Sequence, residues 1–160
     1  MRKISRLVLI VSSLLFSLSV TLQPGMAQTS ATNAQCQPYK IGTDTTSGFP
    51  EVQGSSDTQS LWALLFPRHL PVWSDEDLKI VWRMTGTGEL SLKAQHSDGT
   101  VIQPIWGPEE HGGSNWERPG DEWGAGFHFP KAGCWRILVQ RGKDTGEVDL
   151  LVVANQSIVF

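Results

Sequence analysis

The stretch LKIVWRMTGTGELSLKAQHSDGTVIQPIW, residues 78–106, decides the fold. Leu78, Ile80, Trp82 and Met84 alternate with Lys79, Arg83 and Thr85, and Leu90, Leu92 and Ala94 alternate with polar neighbours. A period of two over both runs is the mark of strands that turn one face to a core. Gly86-Thr87-Gly88 links the two runs tightly. Ser97-Asp98-Gly99-Thr100 follows. Asp-Gly between alternating runs predicts a hairpin with a type I′ turn, whose two central positions both need positive φ. Glu89–His96 is thereby expected to pair with Thr100–Trp106. Pro104 interrupts the second run. Without an N–H to donate, it sets that strand at an edge or breaks it there.

The same reading extends outward. SLWALLF, residues 60–66, is apolar on both faces and bounded by Asp57 and Pro67, which predicts a buried strand. EWGAGFHFP, residues 122–130, sends Trp123, Ala125, Phe127 and Phe129 one way and Gly124, Gly126 and His128 the other. Glycines there admit the close approach of another backbone or a bulky ring. CWRILVQR (134–141) points Trp135, Ile137 and Val139 to one face, and EVDLLVVA (147–154) points Val148, Leu150 and Val152 likewise. About seven short strands joined by turns, with no helical period, predict an all-β chain. The expected architecture is a single antiparallel β-sandwich with immunoglobulin-like topology.

At FHFPKAGCWRILV, residues 127–139, the chain resembles the final hairpin of small exported bacterial β-sandwich domains, where Phe-Pro-x-x-Gly-Cys-Trp turns into the last strands. SLWALLF and VWRMTGTGEL resemble other parts of such proteins. The likeness covers about the last two thirds of the chain beyond residue 27. It implies a fold and an export route and carries over no catalytic residue.

Export is also written in the first residues. Arg2, Lys3 and Arg6 precede the uncharged run Leu7–Val20, and Gly25-Met26-Ala27 supplies small residues where a signal peptidase reads. Residues 1–27 are therefore expected to be a signal peptide cut after Ala27; the apolar run is shorter than the ~20 residues that a membrane span wants. The expected location is periplasmic or secreted. The whole chain carries a net charge of −3. Cleavage would remove three basic residues and leave ten basic against sixteen acidic side chains, a net −6. That balance speaks against nucleic acid and against an anionic membrane surface as partners.

Two cysteines remain, Cys36 and Cys134. In an oxidising compartment they are expected to form a disulfide. Residues 28–58 read as a flexible leader with a first extended segment near Tyr39–Ile41, residues 59–155 as the sandwich, and 156–160 as a tail or strand end.

The candidate site is HGGSNWERPGDEWG, residues 111–124. Seventeen residues, Gly107 to Trp123, separate two predicted strands, and loops beyond about 12–15 residues are usually functional or disordered. Trp116 and Trp123 beside Glu109, Glu110, Glu117, Asp121 and Glu122 suit a carbohydrate, with flat rings for the sugar face and acceptors for its hydroxyls. Carboxylates with His111 also suit a divalent cation. The bland alternative is a loop folded over the sandwich, its tryptophans plugging the core and Arg118 paired with a carboxylate. The four histidines, His69, His96, His111 and His128, lack metal-ligand spacing, so His96, His111 and His128 are only weak metal candidates. Trp62, Trp82 and Trp135 read as core, while Trp73, Trp106, Trp116 and Trp123 lie in or beside loops and are the ones able to mark an interaction surface. Adjacent carboxylates on one loop do not give the separation that a glycosidase needs.

The residues thus predict an exported, non-catalytic binding or interaction module without a cofactor. Its ligand would be a glycan, a cation or a protein. The contact surface is expected on 107–123, through His111, Trp116, Glu117, Arg118, Asp121, Glu122 and Trp123. A small metal-binding protein or metal-dependent hydrolase, and a structural domain docking on a partner, are the alternatives.

Overall fold

A computed structural model of the protein describes residues 42–44 and 47–155. The expected signal peptide, the extended segment at Tyr39–Ile41, Cys36 and the tail 156–160 lie outside the described residues. Eleven strands and no helix occur among the described residues: β1 (Gly42–Thr43), β2 (Pro50–Gln53), β3 (Leu61–Phe66), β4 (Val72–Trp73), β5 (Asp77–Met84), β6 (Leu90–His96), β7 (Val101–Ile102), β8 (Trp106–Glu110), β9 (Asp121–His128), β10 (Gly133–Arg141) and β11 (Asp144–Val153). They form a six-stranded sheet, β1-β2-β3-β5-β9-β8, and a five-stranded sheet, β4-β11-β10-β6-β7. All pairings are antiparallel except β11 with β4. The all-β sandwich expected from the alternating runs is the architecture found. The count of about seven strands is too low, because β1, β2 and β4 are short strands without an alternating run and β8 forms where a loop is expected. Val52 on β2 is buried in the core, so the sandwich begins before residue 59.

The alternating positions meet between the sheets. Leu78, Ile80, Trp82 and Met84 of β5 pack with Leu92, Ala94, Trp135, Ile137 and Leu150 of the facing sheet, all 5 % exposed or less. Apolar burial on this scale is the dominant driving force for such a fold.

Two local expectations change. The turn after β6 is not type I′. Gly99 has φ 93°, but Asp98 does not enter the positive-φ region. His96 N–H donates to Thr100 O, and Gly99 N–H to His96 O. That is a longer hairpin link closed by one left-handed glycine. The pairing beyond it is also shorter than expected. Only Gln95 and Ala94 pair with Val101 and Ile102. The chain breaks at Pro104 and crosses to the other sheet, where β8 pairs with β9. Residues 107–123 are consequently no seventeen-residue loop: their two ends are strand, and the connection proper is 111–120.

SLWALLF owes its unbroken apolarity to this arrangement. Leu61, Ala63 and Leu65 face the core, while Leu64 joins Val81 and Trp116 in a second cluster on the outer face of the six-stranded sheet, flanked by Trp62 and Phe66. The strand is apolar on both sides because both sides are covered.

Candidate functional site

The 111–120 connection folds back across the outer face of the six-stranded sheet. Trp116 is its anchor, only 2 % exposed, with its ring over Leu64 and Val81. Trp123 projects from β9 to the opposite side, into the main core. Neither indole presents a face to a ligand. The alternative reading of the stretch, tryptophans as plugs and Arg118 paired with a carboxylate, describes these positions, except that Trp116 plugs an outer cluster rather than the space between the sheets.

Charges lock the connection down. Glu51 of β2 is 4 % exposed. Its carboxylate accepts from Trp116 Nε1 at 3.0 Å and from Arg118 Nη2. The Arg118 guanidinium lies 4.5 Å over the Trp62 ring. Arg83 of β5 donates through Nε to Glu122 Oε2 at 2.8 Å and through Nη1 to Arg118 O at 2.6 Å. Ser114 Oγ donates to the same Glu122 Oε2 at 2.5 Å. Glu122 Oε1 stands 2.6 Å from His111 Nδ1 but makes no aligned hydrogen bond. Burial would push the Glu122 carboxyl up; the bonds from Ser114 and Arg83 outweigh it and hold the group below the ordinary carboxylate range. Glu117 is exposed. Asp121 lies beyond the network and accepts from Arg141 Nη2.

Beside this locked cover the outer face stays open. A cavity of about 190 Å³ is floored by Leu64, Phe66 and Val81, walled by Trp116 and Glu122, and rimmed by Ser47, Lys79, His111, Ser114 and Asn115. Of the expected site residues, His111, Trp116 and Glu122 line it; Arg118, Asp121, Glu117 and Trp123 do not.

Trp106 adjoins the cavity. It stands opposite Gly126 across the β8–β9 ladder. Its Nε1 lies 2.0 Å from where a Cβ on Gly126 would be, and its Cζ3 lies 3.4 Å from the same point on Gly124. The indole therefore rests lengthwise along β9, pyrrole end on Gly126 and benzene end near Gly124. It remains 39 % exposed. Lys79 pairs with Gly126 and Val81 with Gly124 in the ladder between β5 and β9, so the ring borders two cavity-lining residues. Lys79 Nζ sits 5.1 Å over the Phe66 ring, and Phe66 touches Phe49 at 4.4 Å between centroids. Lys79 was missed because alternation alone assigns it to a solvent face, and Phe66 because a strand apolar on both sides reads only as buried. Gly124 and Gly126, outward between inward aromatics, were the available signal that a ring covers this strand.

The histidines do not converge. His96 lies on the five-stranded sheet, 2.8 Å from Asp98. His111 meets Glu122 beside the start of β9. His128 ends β9, 2.9 Å from Asp77. At about 3.3 Å per residue, Glu122 and His128 are roughly 20 Å apart along the strand. Among the described residues, no three histidine, cysteine or carboxylate side chains gather as a metal site. Cys134 is half-buried on the outer face of the five-stranded sheet, beside a hollow of about 260 Å³ lined by Gln95, His96 and Arg136.

Compared with protein-family models, curated proteins and solved structures, the chain matches none.

Proposed function

We propose that the protein is an exported, non-catalytic binding module, its signal peptide cut after Ala27 and Cys36 bridged to Cys134. Its contact surface is the outer face of the six-stranded sheet, where the 111–120 connection meets β3 and β5. The observation that carries the reading is the cavity of about 190 Å³, apolar below and hydroxyl, amide and amine at its rim, next to the half-exposed Trp106. An apolar hollow with a few convergent polar groups is the usual form of a small-ligand site. The ion pairs that fasten its wall keep it formed before a ligand arrives, which spares the ordering cost of binding. Relative to the expectation from sequence, the surface moves off Trp123 and Arg118 and keeps His111.

A rival reading, a structural domain docking on a partner protein, draws on the exposed apolar side chains Val101 and Ile105 along the β7–β8 edge. The test is a thermal-melt panel on the purified protein with chelator, calcium, zinc, copper and cell-wall and plant glycans. A ligand of the native state raises the melting temperature by mass action. A shift with a panel member that is abolished by Val81→Trp, which fills the cavity floor, supports the reading. Silence across the panel, with capture of a partner protein through the Val101–Ile105 edge, overturns it.

A further inference from the structure

We infer that Trp106 is a stacking platform for one pyranose ring of a neutral oligosaccharide, the neighbouring cavity receiving the next ring. This rests on the binding-module reading and names its ligand class. The ring is seated on backbone: a Cβ at Gly126 would lie 2.0 Å from Nε1, so only glycine lets the indole settle there. Covering a glycine in a sheet accounts for where the ring lies. It does not require the outward face to stay open, and Trp106 is 39 % exposed while four of the other tryptophans are 6 % exposed or less.

The surroundings select the ligand. A pyranose offers C–H groups on its face and hydroxyls around its edge. The indole supplies the apolar area, with Glu109 opposite Gly124 as an acceptor and the Lys79 amine, over the Phe66 ring, as a donor on the cavity side. From the ring over β9, the cavity floor on β5 and β3 begins one and two strand spacings away, about 5 and 10 Å. The Asn115 amide then meets the hydroxyls of a second sugar above Val81. A wholly apolar ligand would cover the Asn115 amide without giving it a partner. Groups of both signs at the platform favour a neutral chain over a polyanion, as does the net negative charge.

The experiment is isothermal titration of the purified protein with cellohexaose, chitohexaose and xylohexaose. It is joined to N-bromosuccinimide oxidation mapped by peptide mass. The expected result is that one of the three binds and shields Trp106 from oxidation. Trp106→Ala then raises its Kd at least about tenfold, the effect of losing a central aromatic anchor. Trp106→Phe keeps part of the affinity, which separates a lost platform from a misfolded variant. Lys93→Ala, on the other sheet, leaves the Kd unchanged. Equal affinity in Trp106→Ala overturns the platform and leaves the binding module standing. No binding and no shielding by all three overturns the sugar ligand; a melting shift with a cation in the wider panel would then keep the module, and no shift at all would remove both.

Discussion

Arg83 Nε donates to Glu122 Oε2 at 2.8 Å, joining two neighbouring strands through side chains that are 17 % and 3 % exposed. A pair this deep is costly to break, because the charge left behind is stranded away from water. Arg83→Ala is expected to lower stability by about 3–5 kcal/mol. It also removes the donor to Arg118 O, so the 111–120 connection should become protease-sensitive at that point. Urea melts at neutral pH, with limited proteolysis of the variant, check both.

The same carboxylate fixes a pH dependence. The folded protein holds Glu122 below its ordinary 4.5. A depressed carboxyl gives stability that is fully present above its unfolded pKa and is lost as the pH falls through the folded one. Stability should therefore decline below about pH 4.5, and Glu122→Gln should flatten that part of the curve while lowering the plateau above it. Urea midpoints of both proteins from pH 7 down to pH 3 make the comparison. An unchanged slope in the variant would assign the acid loss to other groups.

Trp116 separates a plug from a contact residue. At 2 % exposure and bonded to Glu51, it should behave as core. Trp116→Ala is expected to cost about 3–5 kcal/mol, as large aromatic truncations in cores do. A melting temperature within a degree or two of the parent would show that the ring is dispensable to the fold and return it to the list of ligand contacts.

How far the sequence could be read follows from which forces are local. Leu78 to Met84, Leu90 to Ala94 and Trp135 to Val139 alternate because each strand carries its own face pattern, and their sides are legible without knowing a partner. Strand β8 is not: WGPEE, residues 106–110, carries a glycine, a proline and two acids, and reads as loop. It survives as a strand because it lies at the sheet edge with a register shift between Trp106 and Glu109, where proline needs no ladder partner. SLWALLF did announce a second covered face, but not its cover. What lies over it is set by Glu51, Arg83 and Arg118, which are distant in sequence and meet only in the folded chain. Residues 111–124 do fold against the sheet, Trp116 on its outer face and Trp123 between the sheets, while the more exposed ring is that of Trp106.

The expected disulfide can be judged by mass and by melt. Closing a loop of roughly 100 residues is worth up to about 4.7 kcal/mol in the chain-entropy account. Protein recovered from the periplasm should be two hydrogens lighter than its reduced form. Cys36→Ser and Cys134→Ser should each lower the melting temperature, and the double variant no further than either single one. Independent losses at the two positions would mean that the cysteines are not partners.

The seating of Trp106 on Gly126 gives the sharpest test of the outer face, because the two positions should be coupled. A Cβ on Gly126 would overlap the indole at 2.0 Å, so Gly126→Ala must lift the ring. Overpacking of this kind typically costs about 1–3 kcal/mol. Once the ring is gone the clash is gone as well, and alanine suits a strand better than glycine does. Gly126→Ala made in the Trp106→Ala background is therefore expected to be neutral or stabilising. The double-mutant cycle should show a coupling of about 1 kcal/mol or more, against near-additivity for residues that do not touch. Chemical denaturation of the four proteins supplies the cycle. Additive losses would mean that the indole does not rest on the strand, and the platform argued from that contact would fall with it.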